Sequence, residues 1–282
     1  MWIALPVLDD IIDRTLREDL GGGDLTTEAT VDAATQAVAT AVARSPLVVC
    51  GGLVFRRAFE RLEPSVRFEE LVPDGTAVEK GAAIWRVHGS ARALLMAERT
   101  ALNLTQRMSG TATLAKTYRD ALPAGSTTRL TDTRKTTPGL RVLERYAVRC
   151  GGAHNHRDSL GTAVLIKDNH IVAAGGILEA ISRARARAPH TTRIEVEVQS
   201  LTELETALSA RADIIMLDNF ALPALVEAVA RAKGKALLEA SGGITLATLA
   251  DVARAGVDLI SVGALTHSAK AADIALDLVL AG

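Results

Sequence analysis

The sequence predicts an α/β protein, with a parallel barrel of about six strand-plus-helix units behind a region of different texture. Three features carry that expectation. Short apolar segments ending at Asp132, Lys167, Glu197, Asp218, Ala240 and Val262 alternate with alanine-rich helical stretches. The last four ends lie about 20 residues apart, the size of one unit in a (β/α) barrel. Right-handed crossovers then make the strands parallel and place every strand end on one edge, where such folds carry their active sites. Six clear units are fewer than the eight of a complete barrel.

The first helix is predicted over residues 7–18, because Leu8, Ile11, Ile12, Leu16 and Leu20 recur near helical spacing and Gly21-Gly22-Gly23 stops it. From Thr35 to about Val87 the texture is strand-like, as in Ala37-Val38-Ala39-Thr40-Ala41-Val42, with turns at Gly, Pro and Asp. Residues 73–87 read as a pair of hairpins with glycine turns. A helix over residues 92–107 is expected to break at Ser109-Gly110, before a second one to about Leu122. The barrel units follow. Residues 268–280 are expected to form an amphipathic helix. The predicted domains are 1–108, with a C-terminal helix 268–282 packing back on it, and 109–267.

Of the 282 residues, 48% are hydrophobic and 23% charged, enough for a large core without a disulfide framework. The net charge of -1 and 3% aromatic content argue against a nucleic-acid partner, which requires a positive field or stacking platforms. Cys50 and Cys150 are the only cysteines, which suits a reducing cytoplasm and excludes a zinc site made of thiolates alone. No apolar run reaches the roughly 20 residues of a membrane helix. The apolar start Trp2-Ile3-Ala4-Leu5 has no basic flank and soon meets Asp9-Asp10, so no signal peptide is expected.

Residues 129–170 are unusually basic, with a net +4 against -5 for the rest of the chain. Arg141, Arg145 and Arg149 follow Pro138-Gly139 on a helix and are expected on a solvated face. Arg134, Lys135, His156, Arg157 and Lys167 fall instead at strand ends or in glycine-rich turns. Cations gathered there focus a field on an anionic ligand, and arginine adds forked donors for carboxylate or phosphate.

Two acids end neighbouring units, Glu197 in Ile194-Glu195-Val196-Glu197-Val198 and Asp218 in Ile214-Ile215-Met216-Leu217-Asp218. Alternation puts Glu195 and Glu197 on one face, and Glu197 lies nearer the carboxyl end. Such acids pair with nearby cations, hold Mg²⁺ or ribose hydroxyls, or stabilise positive charge on a sugar. Ser241-Gly242-Gly243 and Gly263 each follow a strand, where glycine lets backbone amides approach phosphate. A nucleophile elbow, a P-loop and a dinucleotide fingerprint are all missing from the sequence. His154-Asn155-His156 lacks a third ligand for zinc. Cys150 reads as a packing residue, and Lys167 as an anion contact in place of a Schiff-base lysine.

Taken together, Asp132-Thr-Arg-Lys-Thr-Thr-Pro-Gly-Leu140, Asn155-His-Arg157, Leu165-Ile-Lys-Asp-Asn-His170, Glu195-Val-Glu-Val198, Leu217-Asp-Asn-Phe220, Glu239-Ala-Ser-Gly-Gly243 and Val262-Gly-Ala-Leu-Thr-His267 resemble the quinolinate phosphoribosyltransferase family. The resemblance extends through Arg17-Glu-Asp-Leu20, Gly23-Asp-Leu-Thr-Thr27 and Ala97-Glu-Arg-Thr-Ala-Leu-Asn103. It implies an N-terminal α/β sandwich domain, an incomplete barrel of six or seven strands, a cytoplasmic homodimer and Mg²⁺ with phosphoribosyl pyrophosphate, without an organic cofactor. It further implies that Arg134, Lys135, His156 and Arg157 hold the quinolinate carboxylates and that Arg99 completes the partner's site. Lys167, Glu197, Asp218, Ser241, Gly242, Gly243, Gly263 and His267 are implied to handle ribose, metal and phosphates, with Lys135, Glu197 and Asp218 the catalytic set. One departure stands out: Gly151-Gly152-Ala153-His154 replaces the family's usual glycine-rich run before Asn155.

A related protein of molybdenum transport systems shares the fold and some motifs; the intact Asn155-His156-Arg157 and Lys167-Asp168-Asn169-His170 favour the quinolinate enzyme. A biotinyl- or lipoyl-type carrier is the rival from another class, but Lys80 beside Gly81 lacks the flanking methionines of such a site.

Overall fold

The computed structural model describes residues 3–281; Met1, the Trp2 of the apolar start and the terminal Gly282 lie outside the described residues. The elements, in chain order, begin with α1 (Leu5–Leu20), α2 (Leu25–Thr30), β1 (Gln36–Ala43), β2 (Leu47–Val48), α3 (Gly52–Glu60), β3 (Arg67–Glu70), β4 (Ala77–Val78), β5 (Ala83–Ser90) and α4 (Ala91–Asp120). Next come β6 (Arg129–Thr131), α5 (Arg141–Cys150), β7 (Val164–Ile166), α6 (Asp168–Ala174), α7 (Ile177–Arg187), β8 (Ile194–Val198), α8 (Leu201–Ser209) and β9 (Ile214–Asp218). The chain closes with α9 (Leu222–Ala232), β10 (Leu237–Ser241), α10 (Leu246–Arg254), β11 (Leu259–Ser261), α11 (Ala264–His267) and β12 (Ile274–Leu280). It divides into two compact units. One comprises Met1–Lys116, Thr136–Gly152 and Leu265–Gly282, the other Thr117–Lys135 and Ala153–Ala264.

The first unit is built on a four-stranded sheet in the order β12-β1-β5-β3, antiparallel throughout. Along β1 every second residue (Ala37, Ala39, Ala41, Ala43) is buried, as alternation demands of a half-covered strand. Helix α1 buries Leu8, Ile11, Ile12 and Leu16, a stripe one side wide. Phe55, Phe59 and Trp85 meet at the centre of the core, with the Phe55 ring centroid 4.9 Å from that of Phe59 and 4.9 Å from that of Trp85, and 6.3 Å from that of Phe68.

Several expectations need correction here. The terminal segment is the strand β12, paired with β1 from Ala37↔Leu280 to Ala43↔Ile274, and not a helix. Its short apolar run fits either period, and the open edge of β1 decides the matter by taking its amides and carbonyls. Residues 73–87 do not form a hairpin pair, because β4 pairs with β2 while β5 pairs with β1 and β3. Helix α3 interrupts the strand-like region. Its start is fixed by Asp74, whose carboxylate accepts the N–H groups of Gly51 and Gly52 at 3.0 Å, a cap too remote in sequence to foresee. Helix α4 runs unbroken through Ser109-Gly110. Glycine there serves close packing, since a Cβ on Gly110 would overlap the Lys270 carbonyl. Arg145 is buried and not solvated, because α5 also buries Leu143, Glu144, Ala147 and Val148, a face wider than a simple stripe.

The second unit holds a six-stranded parallel sheet in the order β6-β11-β10-β9-β8-β7. Among the described residues, β6 and β7 are its edges, and β6 gains one parallel bridge from Thr131 to His154. Ile194, Val196, Val198, Ile215, Leu217, Leu238 and Ile260 are buried along the strands, the near-continuous apolar pattern of a sheet covered on both faces. Each crossover returns through a helix, so all six strands finish at one edge.

Candidate active site at the carboxyl edge of the parallel sheet

That edge encloses a cavity of about 600 Å³. Its walls include Thr133, Arg134, Lys135, His156, Arg157, Lys167, Glu197, Asp218, Asn219, Ser241, Gly242 and Gly243, together with Leu165, Met216, Glu239 and Ser261. The parallel strands explain the gathering: residues far apart in sequence end on neighbouring strands, with Glu197 beside Met216 and Asp218 beside Ser241 in the register.

Arg157 donates from Nη1 to the Ala163 carbonyl at 2.9 Å, while its Nε is buried with no hydrogen-bond partner among the described residues. Burial and the nearby Arg134 charge hold this guanidinium below its ordinary pKa, with Glu195 acting the other way. Two like charges facing one cavity become compatible when an anion sits between them. Lys167 directs its Nζ to Glu197 Oε2 at 2.7 Å, with the lysine half-exposed and the carboxylate largely covered.

The loops after β9 and β10 interlock. Asn219 adopts the left-handed region (φ 56°), donates its backbone N–H to the Ser241 carbonyl at 2.9 Å and its Nδ2 to Asp218 Oδ2 at 2.9 Å. Gly242 (φ 92°) lies against the Asn219 side chain, where any Cβ would overlap it. The Gly242-Gly243 turn then leads into Thr245, whose N–H donates to Thr248 Oγ1 at 3.0 Å at the start of α10. A helix start behind a glycine turn is a favourable place for phosphate.

Behind the cations lies a buried acid–base cluster. His156 Nε2 is 3.1 Å from Glu195 Oε2 and 3.6 Å from Glu239 Oε2. The N–H of Arg157 donates to Nδ1 at 2.8 Å, so in the neutral ring the proton sits on Nε2, facing the two carboxylates. Asp132 is fully buried and fixes the loop by accepting the His156 N–H at 2.7 Å and Asn155 Nδ2 at 2.6 Å. Burial would lower the His156 pKa. The hydrogen bond to Glu195 and the charges of Glu239, Glu195 and Asp132 more than offset it, and the ring is held above its ordinary value. Glu239 is pushed up to about 7 by burial and by the charge of Glu195.

Of the residues singled out from sequence, Arg134, Lys135, His156, Arg157, Lys167, Glu197, Asp218, Ser241, Gly242 and Gly243 share this one cavity. Arg99, Gly263 and His267 are not among its walls. Arg99 is exposed on α4, Gly263 follows β11, and His267 is exposed at the end of α11 with Nδ1 2.7 Å from Ser268 Oγ. The structure also separates Glu195 from Glu197: the former is buried against His156, the latter opens on the cavity beside Lys167. Sequence reasoning gave Glu239 no role. Its signal was available in strand parity, since it lies two residues before Ser241 on the same strand and so shares its face.

Fold and site together define an α/β-barrel enzyme that works on anionic small molecules. The family model described as quinolinate phosphoribosyl transferase, C-terminal domain, matches residues 111–277, and its N-terminal domain counterpart matches residues 24–109. A probable nicotinate-nucleotide pyrophosphorylase (carboxylating) of Bacillus subtilis is 41% identical over 273 residues, spanning 97% of this chain and 94% of that protein. The nicotinate-nucleotide pyrophosphorylase (carboxylating) of Mycobacterium leprae is 44% identical over 275 residues, spanning 95% and 96%. The crystal structure of NadC from Streptococcus pyogenes matches with a TM-score of 0.96 at 39% identity, covering 100% of both chains. The chain belongs to the quinolinate phosphoribosyltransferase family.

Proposed function

We infer that this chain transfers phosphoribose from phosphoribosyl pyrophosphate to the ring nitrogen of quinolinate, with release of pyrophosphate and CO2, to give nicotinate mononucleotide for NAD synthesis. The observation that carries this reading is the meeting of Arg134, Lys135, Arg157 and Lys167 with Glu197, Asp218 and the Gly242-Gly243 turn around one cavity. Quinolinate brings two carboxylates and phosphoribosyl pyrophosphate is strongly anionic, so the walls must be cationic where the substrates lie.

Arg134, Lys135, His156 and Arg157 take the quinolinate carboxylates, the Arg157 Nε supplying a donor that has no partner among the described residues. Serine and the two glycines at 241–243 take phosphate, and Lys167 exchanges Glu197 for an anionic substrate group. As pyrophosphate departs, positive charge grows on the sugar, where Glu197 and Asp218 stabilise it. Bond formation makes the ring nitrogen cationic. The adjacent carboxylate then leaves as CO2, and the electron pair it leaves on the ring carbon is stabilised by that cation until a proton arrives. Positioning and charge complementarity supply the rate, and no protein nucleophile or organic cofactor takes part.

Glu197 and Asp218 offer hard carboxylate oxygens from neighbouring strands, a donor set that fits Mg²⁺ held partly through substrate. Bound there, the ion supplies charge that neutralises pyrophosphate. Arg99, exposed on α4, completes the site of a second copy in a cytoplasmic homodimer, and Gly263 and His267 join the phosphate-binding residues. Among the described residues no helix is long and apolar enough to cross a membrane.

The test is an assay of purified protein with phosphoribosyl pyrophosphate, Mg²⁺ and either quinolinate or nicotinic acid. Equal amounts of nicotinate mononucleotide and CO2 are expected from quinolinate. Turnover of nicotinic acid alone overturns the substrate assignment.

A further inference from the structure

The only two cysteines of the chain, 100 positions apart in sequence, meet in the first unit. Their sulfurs and a carboxylate oxygen of Asp74 all lie within 4.8 Å of one another. Cys50 sits between β2 and α3, and Cys150 ends α5. Both positions are pinned to one side of α4. The Cys50 N–H donates to Ser109 Oγ at 3.1 Å, and the same hydroxyl donates to the Cys50 carbonyl at 3.1 Å. Gly151, next to Cys150, packs so tightly on α4 that a Cβ would overlap the Ala112 carbonyl and Ala115. The thiols are therefore held near each other by the backbone.

A shared metal ion fits this cluster poorly. Asp74 already accepts the N–H groups of Gly51 and Gly52 at 3.0 Å and the Tyr146 hydroxyl at 2.8 Å, so its oxygens are engaged and only two thiols remain.

We propose that Cys50 and Cys150 form a reversible dithiol–disulfide pair that reacts with low-molecular-weight disulfides. Cys150 is partly exposed and Cys50 fully buried, which sets the order of events. The hydrogen bond from Cys50 lowers the Cys150 pKa, and burial raises that of Cys50. The Cys150 thiolate attacks one sulfur of the small disulfide, whose S–S bond breaks and releases one thiol. Cys50 then gives up its proton and attacks the Cys150 sulfur, releasing the second thiol. Two protein thiols are oxidised to one disulfide while one small disulfide is reduced to two thiols. Side-chain rotation has to shorten the gap to about 2 Å.

The experiment exposes the native, fully reduced chain to oxidised glutathione, then denatures it and alkylates with N-ethylmaleimide before intact-mass and tryptic analysis. The expected product has lost two hydrogens, carries no maleimide, and yields peptide 45–56 joined to peptide 150–157; dithiothreitol restores both thiols. Cys50→Ala is expected to stop at a glutathione adduct on Cys150. Two fully alkylated thiols after exposure, or a disulfide between two chains, overturns the proposal. The wild-type chain decides this by itself, whether or not the variant folds.

Discussion

The two ends of the parallel sheet employ their charged residues in opposite ways. At the amino end, Asp213 accepts the Ile194 N–H at 2.7 Å and Asp258 accepts the Leu238 N–H at 2.8 Å, each reaching from the start of one strand to its neighbour. These acids fix strand register. At the carboxyl end, Glu195 and Glu239 face His156, Glu197 faces Lys167, and Asp218 lines the cavity. Positive charge does not separate the two ends. Arg185, Arg193, Arg211, Lys233 and Lys235 line a groove of about 1280 Å³ at the amino end, larger than the carboxyl-end cavity of about 600 Å³. What distinguishes the site is that two buried carboxylates, Glu195 and Glu239, converge on one histidine, a crowding of titratable groups out of water that costs stability.

The sharpest break of this contrast is at Glu197. Glu197→Gln is expected to lower kcat on the order of 100- to 1000-fold with little change in thermal midpoint, read by steady-state rates beside a melting curve. Asp213→Asn should leave kcat within about twofold. A similar loss of rate in both variants contradicts the division of labour.

Next in size is a pH effect. Glu239 keeps its proton up to about 7 in the folded chain, against 4.5 ordinarily, so the folded state binds that proton more tightly than the unfolded one. The resulting stabilisation is complete below 4.5 and is lost as pH rises through 7. It is at most about 3 kcal/mol. His156, also raised, acts in the same direction. Stability against urea, measured between about pH 4 and 8, should therefore fall with rising pH, and Glu239→Gln should flatten the slope. An unchanged slope contradicts the assignment.

Arg157→Ala should weaken quinolinate binding by roughly 30-fold, about 2 kcal/mol, and phosphoribosyl pyrophosphate binding far less. Titration of each ligand separately checks this, and equal loss of both counts against the assigned role. The smallest effect belongs to the amino end: Asp213→Ala should cost about 1 kcal/mol of stability, since the Ile194 N–H loses its acceptor.

Much of this contrast was legible in the sequence. The strand ends at Asp132, Lys167, Glu197 and Asp218 mark the carboxyl edge because parallel crossovers leave no other place for them. The cations of that edge, and Gly242-Gly243, could be recognised because they stand outside helix faces. Contacts that depend on strand order were not legible. That His156 meets both Glu195 and Glu239 follows from β8, β9 and β10 lying side by side, which spacing does not state. In the first unit the segments that finish far from their sequence neighbours were misread: β12 on the edge of β1, β4 on β2, and α3 capped by Asp74. Local periodicity is silent about such partners.

The most direct test is a crystal structure with quinolinate bound. The ligand should lie in the carboxyl-end cavity, with its carboxylates on Arg134, Lys135, His156 and Arg157 and a donor from Arg157 Nε. Density for it in the amino-end groove among Arg185, Arg211 and Lys235, with the carboxyl-end cavity empty, would contradict the account.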